Sequence, residues 1–339
     1  MPTAAIFDCE GPRLSAEEKA FFRDVDPWGF ILFARHCASA EAMRAHCDEL
    51  RDCVGRADAP ILIDQEGGRV ARMKPPVFPA HPAPAVFGEL YKLDPKKAKE
   101  AARLDGYLLA RLVSDLGVTV NCVPMLDVPQ IDADPVVIGD RAIAKHADVI
   151  AVLGAEMAAG SLEGGALPVI KHMPGHGRAL CDSHHGLPRV GASKRDLQDT
   201  DFRPFKAMNA ALIGMTAHIV YEAYDAERPA TLSPVIVNDV IRGEIGFDGL
   251  LFTDDLKMKA LGGTFAERIS LSYAAGCDVA LACNFSLAEK RDSAKSLRSL
   301  EGKSAARAKA ALAGLKTPER GDTSKAYERL NALIRPALA

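Results

Sequence analysis

Short, mainly apolar runs recur along this chain, and between them the apolar residues space out at intervals of three and four. The runs at residues 4–7, 29–33, 60–63, 118–123, 167–170, 212–216, 250–253 and 279–282 have strand length and little polar alternation. That is the pattern of strands buried on both faces. Residues 15–23, 39–54, 95–116, 146–162 and 265–275 carry helical periodicity, and 235–242 is a shorter helix candidate. Ser15 with Glu18 three positions on predicts a capping box at the first of these helices. A Pro-rich connection, 75–84, leads from the third strand to the long helix.

Strands alternating with helices predict parallel pairing with the helices outside, hence an α/β protein built as a (β/α)8 barrel. A doubly wound open sheet has the same alternation, because strand count alone does not close a barrel. The polar residues favour closure. Asp64, Asp127, Lys171 with His172, His218, Asp254 and Asn284 all sit at the C-terminal ends of different strands. In a barrel those ends converge on one face, where active sites are built. With no linker, repeat or low-complexity tract, the expectation is one catalytic barrel domain over 1–339. A helical tail from about residue 286 to 339 is expected on its exterior.

Charge narrows the partners. The formal net charge is −3 and no Lys/Arg block stands out, so the chain lacks the electrostatic footprint of a nucleic-acid binder. The N-terminal MPTAAIFDCEGPRL has no basic region followed by an apolar one, and nothing approaches the ~20 apolar residues of a membrane span. No membrane association and a cytoplasmic location are expected. Eight cysteines form no CxxC pair, which predicts free thiols in a reducing compartment rather than a disulfide framework.

The candidate chemistry concentrates in VIKHMPGHGRALCDSHHGLP, residues 169–188. His172, His176, His184 and His185, four of the nine histidines, lie within it. Three chemistries fit the group. Zinc is one, since His172 and His176 are four apart, but Pro174, Gly175 and Gly177 forbid the helix that this spacing serves. A Schiff-base lysine, Lys171, is another. The third is an acid/base pair: Asp182 and His184 are close enough in a non-helical loop for the carboxylate to hold an imidazole nitrogen. Gly175 and Gly177 also suggest a mobile loop that delivers His184. Asp254 and Asp255 follow a strand directly, and adjacent residues on an extended chain point opposite ways. One of them is expected to face the pocket while the other braces a loop. Asp64, Arg72 and Arg141 suit sugar hydroxyls, a carboxylate or a phosphate.

Taken together these motifs resemble a known family. KHMPGHG (171–177) followed by DSHHGLP (182–188) is similar to the signature of glycoside hydrolase family 3, in its β-N-acetylglucosaminidase branch. GFILFAR (29–35), IDQEGGRVAR (63–72), GDRAI (139–143), MTAHIVY (215–221), GFDGLLFTDDLKM (246–258) and AGCDVALACN (275–284) resemble further family motifs in the family's order. The resemblance implies a single-domain barrel enzyme of the bacterial cytoplasm. Its implied substrates are carbohydrates, N-acetylglucosaminyl-anhydromuramyl peptides of cell-wall recycling, from which it removes terminal β-linked N-acetylglucosamine. It implies Asp254 as catalytic nucleophile and His184, paired with Asp182, as general acid/base. It implies Asp64, Arg72, Arg141, Lys171 and His172 as the residues that hold the terminal sugar, with no cofactor and no metal. A phosphorylase acting on the same glycosides, and a metal-dependent hydrolase on the same barrel, are the alternatives.

Overall fold

The computed structural model describes residues 1–130, 135–179 and 186–338. Eight parallel strands form the centre: β1 (Thr3–Phe7), β2 (Pro27–Leu32), β3 (Ile61–Ile63), β4 (Val120–Asn121), β5 (Leu167–Met173), β6 (Ile213–Thr216), β7 (Leu250–Phe252) and β8 (Ala280–Ala282). They pair in the order β8-β1-β2-β3-β4-β5-β6-β7. A parallel bridge between Phe252 and Val279 joins the two ends, so the sheet closes into a barrel. The (β/α)8 expectation holds, and the open sheet is excluded.

Each strand lies inside the apolar run that predicts it or overlaps most of it. The strands are buried almost throughout, which is why their sequences lack alternation. The helices are set by local chemistry. In α1 (Ala16–Val25) the Ser15 side chain accepts the Glu18 N–H, and Glu18 accepts the Ser15 N–H, the expected capping box. Ser39 caps α2 (Ala40–Val54), and Gly55, at φ +64°, ends it in the left-handed conformation that glycine adopts without strain. The helix α3 (Ala85–Leu93) is an addition to the sequence reading; the Pro-rich stretch before it obscures its start. Beyond it come α4 (Pro95–Ser114) and α5 (Ala147–Glu163). Val235–Glu244 is helical but wound as a π-helix.

Past residue 286 the chain is helical. Gly302–Ala313 lies near β7, and Ser324–Ile334 lies along α4. Leu330, Leu333 and Ile334 are buried there, and Arg329 pairs with Glu100. Seven cysteines among the described residues are free and buried. No helix among the described residues is long and apolar enough to cross a membrane.

Candidate active site

The C-terminal ends of the strands surround a cleft of about 290 Å³, lined among others by Asp64, Glu66, Arg72, Arg141, Lys171, His172, His176, Asp254, Asp255 and Asn284. Six expected site residues therefore meet in one place. Asp64 follows β3, Lys171 and His172 lie on β5, and Asp254 follows β7. Arg72 and Arg141 reach in from loops. Asp182 and His184, with His185, lie outside the described residues.

The floor is a network of opposite charges. Lys171 Nζ stands 2.9 Å from Asp64 Oδ1 and 2.7 Å from Glu66 Oε1. Arg72 donates to Asp64 Oδ2 at 3.0 Å. Arg141 grips Glu66 with two parallel hydrogen bonds, 2.9 and 2.8 Å, the planar fork that a guanidinium makes with a carboxylate. Three cations thus share two anions, leaving a positive excess on this side of the cleft. Burial alone would raise Glu66, but Arg141 and Lys171 hold its carboxyl down at about 2. Burial would likewise lower Lys171, but Asp64 and Glu66 hold its ammonium above the ordinary lysine value. A Schiff base needs a neutral amine, so this environment opposes the Schiff-base reading.

Asp127, after β4, organises the opposite wall. Its Oδ2 lies 2.7 Å from His172 Nδ1, and its Oδ1 accepts the backbone N–H groups of His172 and His176 at 3.2 and 2.6 Å. The carboxylate keeps the His172 proton on Nδ1, which leaves Nε2 free for another partner. Gly177 is the position where a side chain is impossible: a Cβ there would fall 1.9 Å from the Val128 carbonyl oxygen. That glycine serves close packing of the loop onto the segment after β4. His176 enters the cleft wall, and burial, then the neighbouring His172, lowers its imidazole to about 4.

Asp254 is the carboxylate at the centre. Burial would raise it, but His172, His218 and the N–H of Asp255, 2.8 Å from Oδ1, keep it below the usual carboxylate value. The Asp255 carboxylate accepts the Lys257 N–H at 2.8 Å and the Asn284 amide at 3.0 Å. It braces the turn, although both aspartates border the cleft. Burial first, and the charge of Asp254 after it, raise Asp255 to about 6. Beneath the turn, His218 Nε2 donates to the Asp255 carbonyl at 2.9 Å, while its Nδ1 meets Thr231 Oγ1 at 2.7 Å.

Two acidic residues here were not singled out by sequence reasoning as site residues. Glu66 stands two positions beyond Asp64, and Asp127 was recognised only as a strand end. The ring of strand-end polar residues was the available signal for Asp127, since the barrel brings all such ends together.

Residues 7–311 match the model of the glycosyl hydrolase family 3 N-terminal domain. The chain belongs to this family. A beta-hexosaminidase of Methylococcus capsulatus is 35% identical over 338 residues, covering 97% of each chain. One from Alkalilimnicola ehrlichii is 37% identical over 279 residues, 81% of this chain and 79% of that protein. The crystal structure of NagZ from Neisseria gonorrhoeae superposes with a TM-score of 0.87 at 28% identity, covering 100% of this chain and 98% of that one. The same NagZ has been crystallised with N-trifluoroacetyl-D-glucosamine and with a zinc ion. This chain is accordingly a family 3 glycoside hydrolase.

Proposed function

We propose that this chain is a retaining exo-β-N-acetylglucosaminidase. It removes terminal β-linked N-acetylglucosamine from N-acetylglucosaminyl-anhydromuramyl peptides in the cytoplasm, with residues 1–339 acting as one catalytic domain. The observation that carries the chemistry is Asp254: a half-buried carboxylate kept anionic in a strand-end cleft, beside a wall of cations. The β-hexosaminidase names of its relatives, and the N-trifluoroacetyl-D-glucosamine bound by NagZ, support the substrate class. The cleft, about 290 Å³, is at the small end of the ~300–1,000 Å³ typical of ligand pockets. It suits one terminal sugar ring, with the rest of the substrate outside.

In this reading Asp254 attacks the anomeric carbon and forms a covalent glycosyl-enzyme. His184, oriented by Asp182, protonates the leaving oxygen and then deprotonates the water that releases the sugar. Two inversions give net retention. A histidine is cationic as acid and neutral as base, so no second anion opposes Asp254 as the oxocarbenium-like state forms. Asp64, Lys171, Arg72, Arg141 and His172 hold the sugar hydroxyls with charged, pre-aimed donors and acceptors.

The test compares aryl N-acetyl-β-glucosaminide with aryl β-glucoside, in phosphate and in phosphate-free buffer. Preference for the first, with free sugar as product in both buffers, is expected. Preference for the glucoside sinks the substrate reading, and a sugar phosphate as main product makes the enzyme a phosphorylase.

A further inference from the structure

The turn that carries Asp254 is held from below by an imidazole that does not line the cleft. His218 lies two positions past β6 and is fully buried. So are Thr216, the last residue of that strand, and Thr231, in the turn Ala230–Leu232. His218 Nε2 stands 2.9 Å from the Asp255 carbonyl oxygen, and its Nδ1 stands 2.7 Å from Thr231 Oγ1. Thr231 Oγ1 in turn lies 2.7 Å from Thr216 Oγ1. Neither threonine lines the cleft.

These partners fix where each proton sits. A carbonyl only accepts, so Nε2 carries the ring proton. Burial lowers His218 and keeps it neutral, although the charge of Asp254 pulls the other way. A neutral imidazole protonated on Nε2 has a lone pair on Nδ1, and the Thr231 hydroxyl donates to it. Turned instead to the Ala217 carbonyl, 3.0 Å away, that proton would leave the lone pairs of Nδ1 and Oγ1 facing each other. With the Thr231 proton committed, the Thr216 hydroxyl donates to Thr231. The relay from Thr216 through Thr231 and His218 therefore runs one way and ends on the Asp255 carbonyl.

The residue at the end of the relay is the one that grips Asp254. The Asp255 N–H donates to Asp254 Oδ1 at 2.8 Å. One residue is thus clamped to His218 through its carbonyl and to the Asp254 carboxylate through its amide. A tilt of Asp255 moves that N–H, and the Asp254 oxygens with it. We propose that His218 is a positioning residue for the reaction: its neutral imidazole, oriented by Thr231 and Thr216, holds the Asp255 carbonyl so that the turn presents the Asp254 carboxylate to the anomeric carbon. The inference rests on Asp254 as the nucleophile. A misaimed nucleophile slows bond formation and leaves ground-state binding alone, because in that reading the sugar is held by Asp64, Lys171 and Arg141.

Labelling by a 2-acetamido-2-deoxy-5-fluoro glycosyl fluoride isolates this step, since fluoride departs without a proton from an acid. At saturation, His218→Leu should be labelled roughly 10- to 100-fold more slowly than the wild type, with the half-saturating concentration unchanged. His218→Gln, whose amide N–H replaces Nε2–H, should recover most of the rate. Thr231→Val keeps the shape but removes the proton that holds Nδ1, so it should slow labelling in the same way, and Thr231→Ser should restore it. In the wild type, nitrogen NMR with labelled histidine at neutral pH should show His218 protonated on Nε2 and bare on Nδ1. A proton on Nδ1 overturns the proposal without needing any variant to fold. So does wild-type labelling in folded His218→Leu or Thr231→Val, an equal loss in His218→Gln, or a fall in affinity that accounts for the whole loss. An adduct away from Asp254 in the wild type ends the nucleophile assignment and this inference with it, whereas full-rate labelling of Asp254 in the variants ends this inference alone.

Discussion

Asp127 Oδ2 and His172 Nδ1 lie 2.7 Å apart, although 45 residues separate them in the chain. The same carboxylate takes the backbone N–H groups of His172 and His176, so it aims an imidazole and anchors the start of the segment after β5 together. Asp127→Asn keeps the volume but removes the charge, and its amide N–H₂ then opposes a donor. Loss of a charge-assisted hydrogen bond is worth about 1.5–3 kcal/mol. We expect kcat/KM on an aryl N-acetylglucosaminide to fall roughly 10- to 100-fold. A variant with wild-type kinetics and only a lowered Tm would make Asp127 a scaffold residue with no part in the reaction.

Asp254→Asn should abolish turnover with the fold and sugar binding nearly intact, because it removes the proposed nucleophile at constant volume. Since Asp254 is held below the usual carboxylate value, its ionisation should leave no limb in the kcat/KM profile of the wild type above about pH 4. A 2-acetamido-2-deoxy-5-fluoro glycosyl fluoride should label it. Mass spectrometry that finds the label on Asp255 would overturn the assignment.

The Glu66 network ties stability to pH. Its carboxyl titrates near 2 in the folded chain, from an ordinary value of 4.5, because Arg141 and Lys171 outweigh its burial. A folded value below the unfolded one means the contribution is complete above about pH 4.5 and is lost as the pH falls toward 2. Glu66→Gln leaves the buried Lys171 and the half-buried Arg141 short of an anion, which costs on the order of 3–5 kcal/mol for a broken buried pair. The variant should melt lower at pH 7 and lose less further stability between pH 5 and 3 than the wild type. Melting curves that shift in parallel over that range would remove Glu66 as the source of the dependence.

What the sequence reveals and what it hides follow from the range of the interactions. The strands are legible because burial on both faces leaves continuous apolar runs such as 250–253, and the ends of α1 are legible because Ser15 and Glu18 bond to each other three residues apart. The barrel face could be inferred from Asp64, Lys171 and Asp254, since parallel strands bring like ends together. Glu66 was missed because its partner Arg141 is 75 residues away, and nothing near Glu66 marks it as different from a surface acid. Asp127 has the same difficulty with His172.

His184 is the assignment that most needs kinetics, because His172, His176 and His185 are close to it in sequence. If His184 is the acid, the damage done by His184→Ala depends on the leaving group. Departure of a poorly acidic alcohol needs the proton, and general acid catalysis is worth roughly 10²–10⁴-fold. Departure of an acidic phenol needs it far less. Because kcat/KM reports the first, glycosylating step, the variant should lose much more on a disaccharide than on a dinitrophenyl glycoside. The second step loses its base, so a burst of phenol should precede slow turnover on the activated substrate. Asp182→Asn should show a milder form of both effects, since it disturbs the orientation of the imidazole without removing it. His176→Ala is the internal comparison: that imidazole is held neutral in the cleft wall, near 4, where it is a poor acid at neutral pH, so its losses should be alike for good and poor leaving groups. Equal losses for His184→Ala on both substrates, or the leaving-group dependence appearing in His185→Ala instead, would take His184 out of the acid/base role.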